Sequence, residues 1–146
     1  MRARAIGINH VALEVGDVDE ALAWYTRLVD FEVRGRVGAS MVFLDLGDQF
    51  LALSAGRRQP TDDERHFGLV VDDARAMRAT LEEHGVEILP GRGLNFRDPW
   101  GNRIEVVQYD DVQFSKTDAV LRGMGLDGIG KSEAARRELR EKGLGA

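Results

Sequence analysis

The sequence contains no cysteine, which excludes disulfides, thiolate metal sites and a cysteine nucleophile. It also lacks any apolar run long enough to span a membrane, and the opening Met1-Arg2-Ala3-Arg4-Ala5 has no signal-peptide core behind it. Basic residues do not predominate: 20 Lys and Arg stand against 25 Asp and Glu, a formal charge of −5. That balance gives no general case for nucleic-acid binding. Taken together, these absences lead us to expect a cytoplasmic protein whose partners include neither membrane nor nucleic acid. Histidine is scarce, with three residues in 146.

What is present reads as a duplicated α+β module. The length suits one domain or two small fused modules, and 43% hydrophobic residues can fill a core of normal size. Ile6 to Val15 alternates with period two: Val11, Leu13 and Val15 share one face, while Ile8, His10, Ala12 and Glu14 share the other. Asp17 can cap a helix over Val18 to Val29, in which Val18, Leu22, Tyr25, Leu28 and Val29 recur at helical spacing. Strands are expected at Phe31–Arg36, Ser40–Asp45 and Gln49–Ser54, with Gly47-Asp48 as a hairpin turn.

The polar stretch from Gly56 to Glu64 reads as a linker, after which the pattern restarts. Arg65 to Val71 is a strand, Asp72-Asp73 a capping site, and Ala74 to His84 a helix with Met77 and Leu81 inward, closed by Gly85. Later strands are expected at Val86–Leu89, Gly93–Arg97 and Arg103–Tyr109. His10 therefore aligns with His66, Leu13 with Leu69, Val15 with Val71 and Asp17 with Asp73, while Ala52 aligns with Glu105. Module one covers about residues 5–55, the linker 56–64 and module two 65–109. Residues 110–146 form an extension with expected helices at Gln113–Met124 and Lys131–Lys142, read as packing, a subunit contact or a lid.

The most informative stretch is Asn95 to Tyr109. Asp98-Pro99-Trp100-Gly101-Asn102 reads as a tight turn. In the strand that follows, Ile104 and Val106 share a face, and Arg103, Glu105, Val107 and Tyr109 share the other. A carboxylate amid apolar strand residues needs a partner or a metal. Parity puts His10, His66 and Glu105 on the side of the strands away from the helices. If the sheets share a concave cleft, these three converge as a two-histidine, one-carboxylate metal site with open positions for substrate. Read singly, each histidine also suits a structural role, and Glu105 also suits an ion pair with Arg97 or Arg103. His84, at a helix end, reads as structural. Phe50, Trp100 and Val107 suit an apolar wall; Arg97 and Arg103 suit a substrate carboxylate or enolate; Tyr109 falls on the same strand face. For each of these a packing role stands equally open.

Several segments together resemble the vicinal oxygen chelate superfamily. They are Ile8-Asn9-His10-Val11-Ala12-Leu13, Trp24-Tyr25-Thr26-Arg27-Leu28, Phe43-Leu44-Asp45-Leu46-Gly47, His66-Phe67-Gly68-Leu69-Val70-Val71, and Phe96 through Glu105. That group includes glyoxalase I, bleomycin-resistance proteins, extradiol dioxygenases, methylmalonyl-CoA epimerase and fosfomycin-resistance thiol transferases. The resemblance implies two tandem βαβββ modules forming a curved mixed sheet around a metal cleft. It also implies one divalent ion (Fe, Mn, Ni, Co or Zn) on His10, His66 and Glu105, with Glu105 catalytic. It further implies a small substrate with vicinal oxygens and a homodimer, with modules paired within or between chains.

Two departures matter. Ala52 stands where glyoxalase I and the epimerase place a fourth ligand, so the resemblance does not extend to a standard glyoxalase I. Leu89-Pro90-Gly91-Arg92-Gly93-Leu94 lacks the lysine- and serine-bearing loop of the fosfomycin transferases, and Ala12 replaces their threonine, so it does not extend to fosfomycin turnover. The expectation is dioxygenase, lyase, isomerase or transferase chemistry on the metal; the alternative is a metal-free protein that sequesters a small molecule, as bleomycin-resistance proteins do.

Overall fold

A computed structural model describes residues 1–145. The chain forms two compact units, 1–59 and 60–146. In the first, the strand β1 (His10–Val15) leads into the helix α1 (Val18–Leu28), followed by β2 (Glu32–Val37), β3 (Met41–Asp45) and β4 (Phe50–Ala55). Their sheet has the order β1-β4-β3-β2, with β1 and β4 parallel and the other neighbours antiparallel. Asp17 caps α1 by accepting from the Glu20 N–H at 2.8 Å. Val18, Ala21, Tyr25 and Leu28 then form a buried stripe at intervals of three and four residues, and α1 packs on β3 and β4. Alternation along β1 is as expected: Leu13 and Val15 are buried, and His10, Ala12 and Glu14 are exposed.

The second unit holds β5 (His66–Val71), α2 (Ala74–Glu83), β6 (Leu94–Arg97) and β7 (Arg103–Gln108). The sheet order is β5-β7-β6, with β5 and β7 parallel. Asp73 caps α2 through the Ala76 N–H at 2.9 Å, and Met77 and Leu81 are buried. The helix ends with Val86 N–H donating to the Leu81 carbonyl and Gly85 N–H to the Glu82 carbonyl, with Gly85 at φ +67°. That is the left-handed helix ending that glycine permits.

Most boundaries shift by a residue, and three differences bear on the site. β1 begins at His10 rather than Ile6, because its neighbour β4 begins at Phe50, the register partner of His10. Ile6 and Ile8 consequently stay 99% and 71% exposed. Val86–Leu89 makes only an isolated bridge, Ile88 to Phe96. Pro90 offers no N–H, and Gly91 and Gly93 take φ of +110° and +80°, so the ladder has no room to extend. β7 ends at Gln108, and Tyr109 opens a short 3₁₀ turn, Tyr109–Asp111.

The extension is shorter in helix than expected. The helices α3 (Asp118–Gly123) and α4 (Glu133–Glu141) start after the capping residues Thr117 and Ser132, which accept from Val120 N–H and Ala135 N–H. Each cap residue is itself extended, at ψ 155° and 162°. Leu121 and Ala135 are buried, and Ser132 N–H donates to the Asp110 carbonyl at 2.8 Å. Lys131 donates to the Tyr109 and Phe114 carbonyls and lies 3.4 Å over the Tyr109 ring. Burial pushes the Lys131 ammonium below the usual lysine range, against the opposing pull of Asp110. The Glu133 carboxyl lies below its usual range, chiefly through its hydrogen bond to Arg140. No helix among the described residues is long and apolar enough to cross a membrane.

The turn between β6 and β7 is built on a buried carboxylate. Asp98, 4% exposed, accepts from Trp100 N–H at 3.0 Å, Asn102 N–H at 2.8 Å and Asn102 Nδ2 at 2.7 Å. Its carbonyl accepts from Gly101 N–H at 3.1 Å, and Gly101 takes φ +93°. Replacing Asp98 by Ala would strand buried donors, a loss of about 2–3 kcal/mol. Urea unfolding of the variant is expected to show that loss, with Asp98→Asn intermediate.

Candidate functional site

The expected ligands enter through two equivalent ladders. In the first unit, parallel pairing sets His10 against Phe50 and Ala12 against Ala52. In the second, it sets His66 against Arg103 and Gly68 against Glu105. Within each ladder the position two residues past the histidine's partner is Ala52 or Glu105. The internal register thus repeats the alignment read from the sequence. Ala52, 3% exposed, carries no donor.

His66 and Glu105 meet. Nε2 lies 3.2 Å from Glu105 Oε2, with both side chains about one-third exposed at 38% and 35%. The other ring nitrogen, Nδ1, lies 2.8 Å from the Glu64 carbonyl, which only accepts, so Nδ1 carries a proton. The neutral ring therefore presents a bare Nε2 to a carboxylate. Two lone-pair-bearing atoms face each other, and a proton or a cation between them relieves the repulsion. Glu105 Oε1 lies against Gly93: a Cβ built there would sit 3.0 Å from it. Asn95, 3% exposed and paired across the ladder with Glu105, donates to the Arg92 carbonyl at 3.2 Å.

His10 repeats the tautomer logic. Its Nδ1 lies 3.0 Å from Asn9 Oδ1, which leaves Nε2 as the free acceptor in the neutral ring. The ring stacks on Phe50 with centroids 4.7 Å apart and planes 10° from parallel, and Phe50 meets Phe43 edge-on at 5.7 Å. Among the described residues no group of three or more His, Asp or Glu side chains stands together as a metal-holding set.

The remaining expected residues separate. Val107 keeps its place on the Glu105 side of β7, half-buried. Trp100 sits half-buried in the Asp98 turn. Arg103 donates from Nε to Asn95 Oδ1 at 3.1 Å and from NH1 to the Asp63 carbonyl; Arg97 donates from Nε to the Asp62 carbonyl at 2.8 Å. Both arginines hold the chain itself, where a substrate anion was expected. Tyr109 does not follow the β7 parity, because the strand ends one residue before it. It is buried under the extension, where Phe114 meets it edge-on at 6.4 Å. There it lines a cavity of about 350 Å³ with Asp72, Asp110, Ile129, Gly130, Lys131 and Ser132. None of those residues belongs to the His66–Glu105 pair. Sequence reasoning passed over Asn9, Gly93, Asn95 and the Glu64 carbonyl. Only the paired glycines around Arg92 marked the tight approach to Glu105.

A profile of the Glyoxalase/Bleomycin resistance protein/Dioxygenase superfamily matches residues 7–106. The chain belongs to that superfamily. Metallothiol transferase FosB of Shouchella clausii (strain KSM-K16) is 29% identical over 115 residues, 68% of this chain and 78% of that protein. Among solved structures, a possible glyoxalase from Bacillus cereus aligns with a TM-score of 0.60 at 23% identity, over 70% of this chain and 99% of that one. Lactoylglutathione lyase from Agrobacterium tumefaciens aligns at 0.60 and 22% identity, over 73% and 96%. The fosfomycin resistance protein FosX of Listeria monocytogenes aligns at 0.61 and 16%, over 72% and 94%. At these identities the structures show the shared superfamily fold.

The Gly93 cradle gives a direct test. Ala at position 93 would take a left-handed conformation, at about 1–2 kcal/mol, and its Cβ would press on Glu105 Oε1. Gly93→Ala is expected to lower stability by that amount in urea unfolding, whereas Gly7→Ala, in open space, is expected to leave it unchanged.

Proposed function

We propose that this protein is a metal-dependent enzyme acting on a small substrate that carries two adjacent oxygens. A divalent ion would be held by His66 and Glu105, with His10 as the third donor. The reading is carried by the His66–Glu105 pair: Nε2 faces a carboxylate oxygen at 3.2 Å while Nδ1 is already committed to the Glu64 carbonyl. Donation of the second ring nitrogen to a carbonyl is the usual outer support of a metal-binding imidazole. Imidazole and carboxylate donors in this ratio suit Fe, Mn, Ni, Co or Zn. A relative whose name is metallothiol transferase supports metal dependence.

When bound, the ion would act as a Lewis acid toward the substrate's vicinal oxygens. Glu105 holds negative charge at the reacting end, braced by the Gly93 backbone. The Glu64 carbonyl fixes which nitrogen His66 presents. Phe50, stacked with His10, offers a flat apolar surface to a planar or short-chain substrate, and Val107 adds apolar surface on the Glu105 side of β7. The chemistry fits a lyase, isomerase, transferase or dioxygenase; Ala52 in place of a second carboxylate argues against a four-ligand glyoxalase.

Elemental analysis of untagged protein reloaded with Mn(II), Fe(II), Ni(II), Co(II) or Zn(II) tests this. We expect about one equivalent per chain, consistent with a single superfamily site. His66→Ala and Glu105→Gln should each lose it while keeping the far-UV spectrum of the parent. Turnover of catechols, 2-oxoaldehydes or epoxides would then be screened under the retained metal. No metal uptake by the parent protein would overturn the reading in favour of a sequestering protein.

A further inference from the structure

The segment just before β5 is held by an unusual concentration of side-chain donors. Three successive carbonyls each accept one. Asp62 accepts from Arg97 Nε at 2.8 Å, Asp63 from Arg103 NH1, and Glu64 from His66 Nδ1 at 2.8 Å. Asp62 N–H donates in turn to the Gly101 carbonyl at 2.8 Å, and Gly101 approaches Thr61 so closely that a Cβ would fall 2.8 Å from its Cα. The Glu64 carbonyl that selects the His66 tautomer therefore does not hang on a free loop. It ends a strap fastened at each preceding residue.

Among the described residues, Arg103 reaches both halves of the pair's support. Toward His66, it fixes the carbonyl one residue before Glu64. Toward Glu105, its Nε donates to Asn95 Oδ1 at 3.1 Å, and Asn95 holds the Arg92 carbonyl at 3.2 Å, one residue before Gly93. Gly93 is the residue against which Glu105 Oε1 rests. Arg103 is also the register partner of His66 and stands two residues before Glu105 on the same face of β7.

We infer that Arg103 is the positioning residue of the His66–Glu105 pair, acting through Asp63 on one side and Asn95 on the other. This rests on the metal reading of the pair. Arginine suits the task because its planar fork serves two acceptors in fixed directions; a lysine ammonium at the same site reaches one of them.

Two readouts test the inference. The first is Co(II) affinity by titration of metal-free protein. Arg103→Gln is expected to weaken binding about tenfold to a hundredfold, the range for loss of an outer support of a metal ligand. Arg103→Lys should recover only part of that loss. Arg78→Gln, at an exposed position of α2 outside this network, should bind as the parent does. The second readout needs no metal: the ¹⁵N shifts of the His66 ring in the metal-free, full-length protein. The parent should show one tautomer, with the proton on Nδ1, and Arg103→Gln a mixture. Parental affinity together with a parental tautomer in folded Arg103→Gln would overturn the inference. So would failure of both Arg103 variants to fold by circular dichroism, which would make Arg103 a residue of the fold alone. If the parent binds no Co(II), the metal reading fails, and the ring shifts still decide whether Arg103 sets the His66 tautomer.

Discussion

The parallel pairing of the first and last strands in each unit is the constraint on which the rest depends. Parallel strands need a crossover, and here the crossover carries one helix and the remaining strands. The pairing fixes which side chains lie beside which. His66 pairs with Arg103 and Gly68 with Glu105, so a histidine and an acid two residues apart in register come together at 3.2 Å. A slip of one residue would turn Glu105 to the face that buries Ile104 and Val106. The register is held by that apolar face, by the Asp98 turn that starts β7, and by the Gln108 side chain at its end, which accepts from Ala74 N–H at 3.0 Å.

The charged groups of the second unit work mainly on the backbone. Arg97 and Arg103 spend their Nε donors on chain carbonyls and an amide, and Asp98 spends its carboxylate on turn amides. Lys131 clips the extension to the end of β7 in the same manner, with two carbonyls and the Tyr109 ring around its ammonium. Charge-assisted bonds to backbone are stronger than neutral ones, and they let a unit with a three-stranded sheet hold irregular segments in defined places. The structure of the strap before β5 and the fold of the extension both follow from this use of charge.

Much of this was legible in the residues. Period-two alternation told apart the faces of β1 and β7, because Leu13, Val15, Ile104 and Val106 must be buried. Asp17 and Asp73 announced their helices, since capping is a local interaction between neighbours in the chain. Pairing of His66 with Glu105 followed from parity and the repeat. The errors share a cause in tertiary context. Ile6 and Ile8 alternate like a strand, yet no partner strand reaches them. Tyr109 continues the period of β7, yet the helical extension draws it into a turn. Arg103 and Arg97 suited a substrate anion and a packing role equally, because nothing local reveals that the Asp62 and Asp63 carbonyls return to accept from them. An arginine's partner is a long-range fact, whereas a helix cap is a short-range one.

Ala52 carries a further meaning. The two ladders share one register but not one chemistry: in the first the histidine stacks on Phe50, while in the second it stands beside an acid among polar bonds. The same backbone position therefore meets a ring in one copy and a charge in the other, and Ala52 marks the rung at which two matching ladders stop being copies of each other.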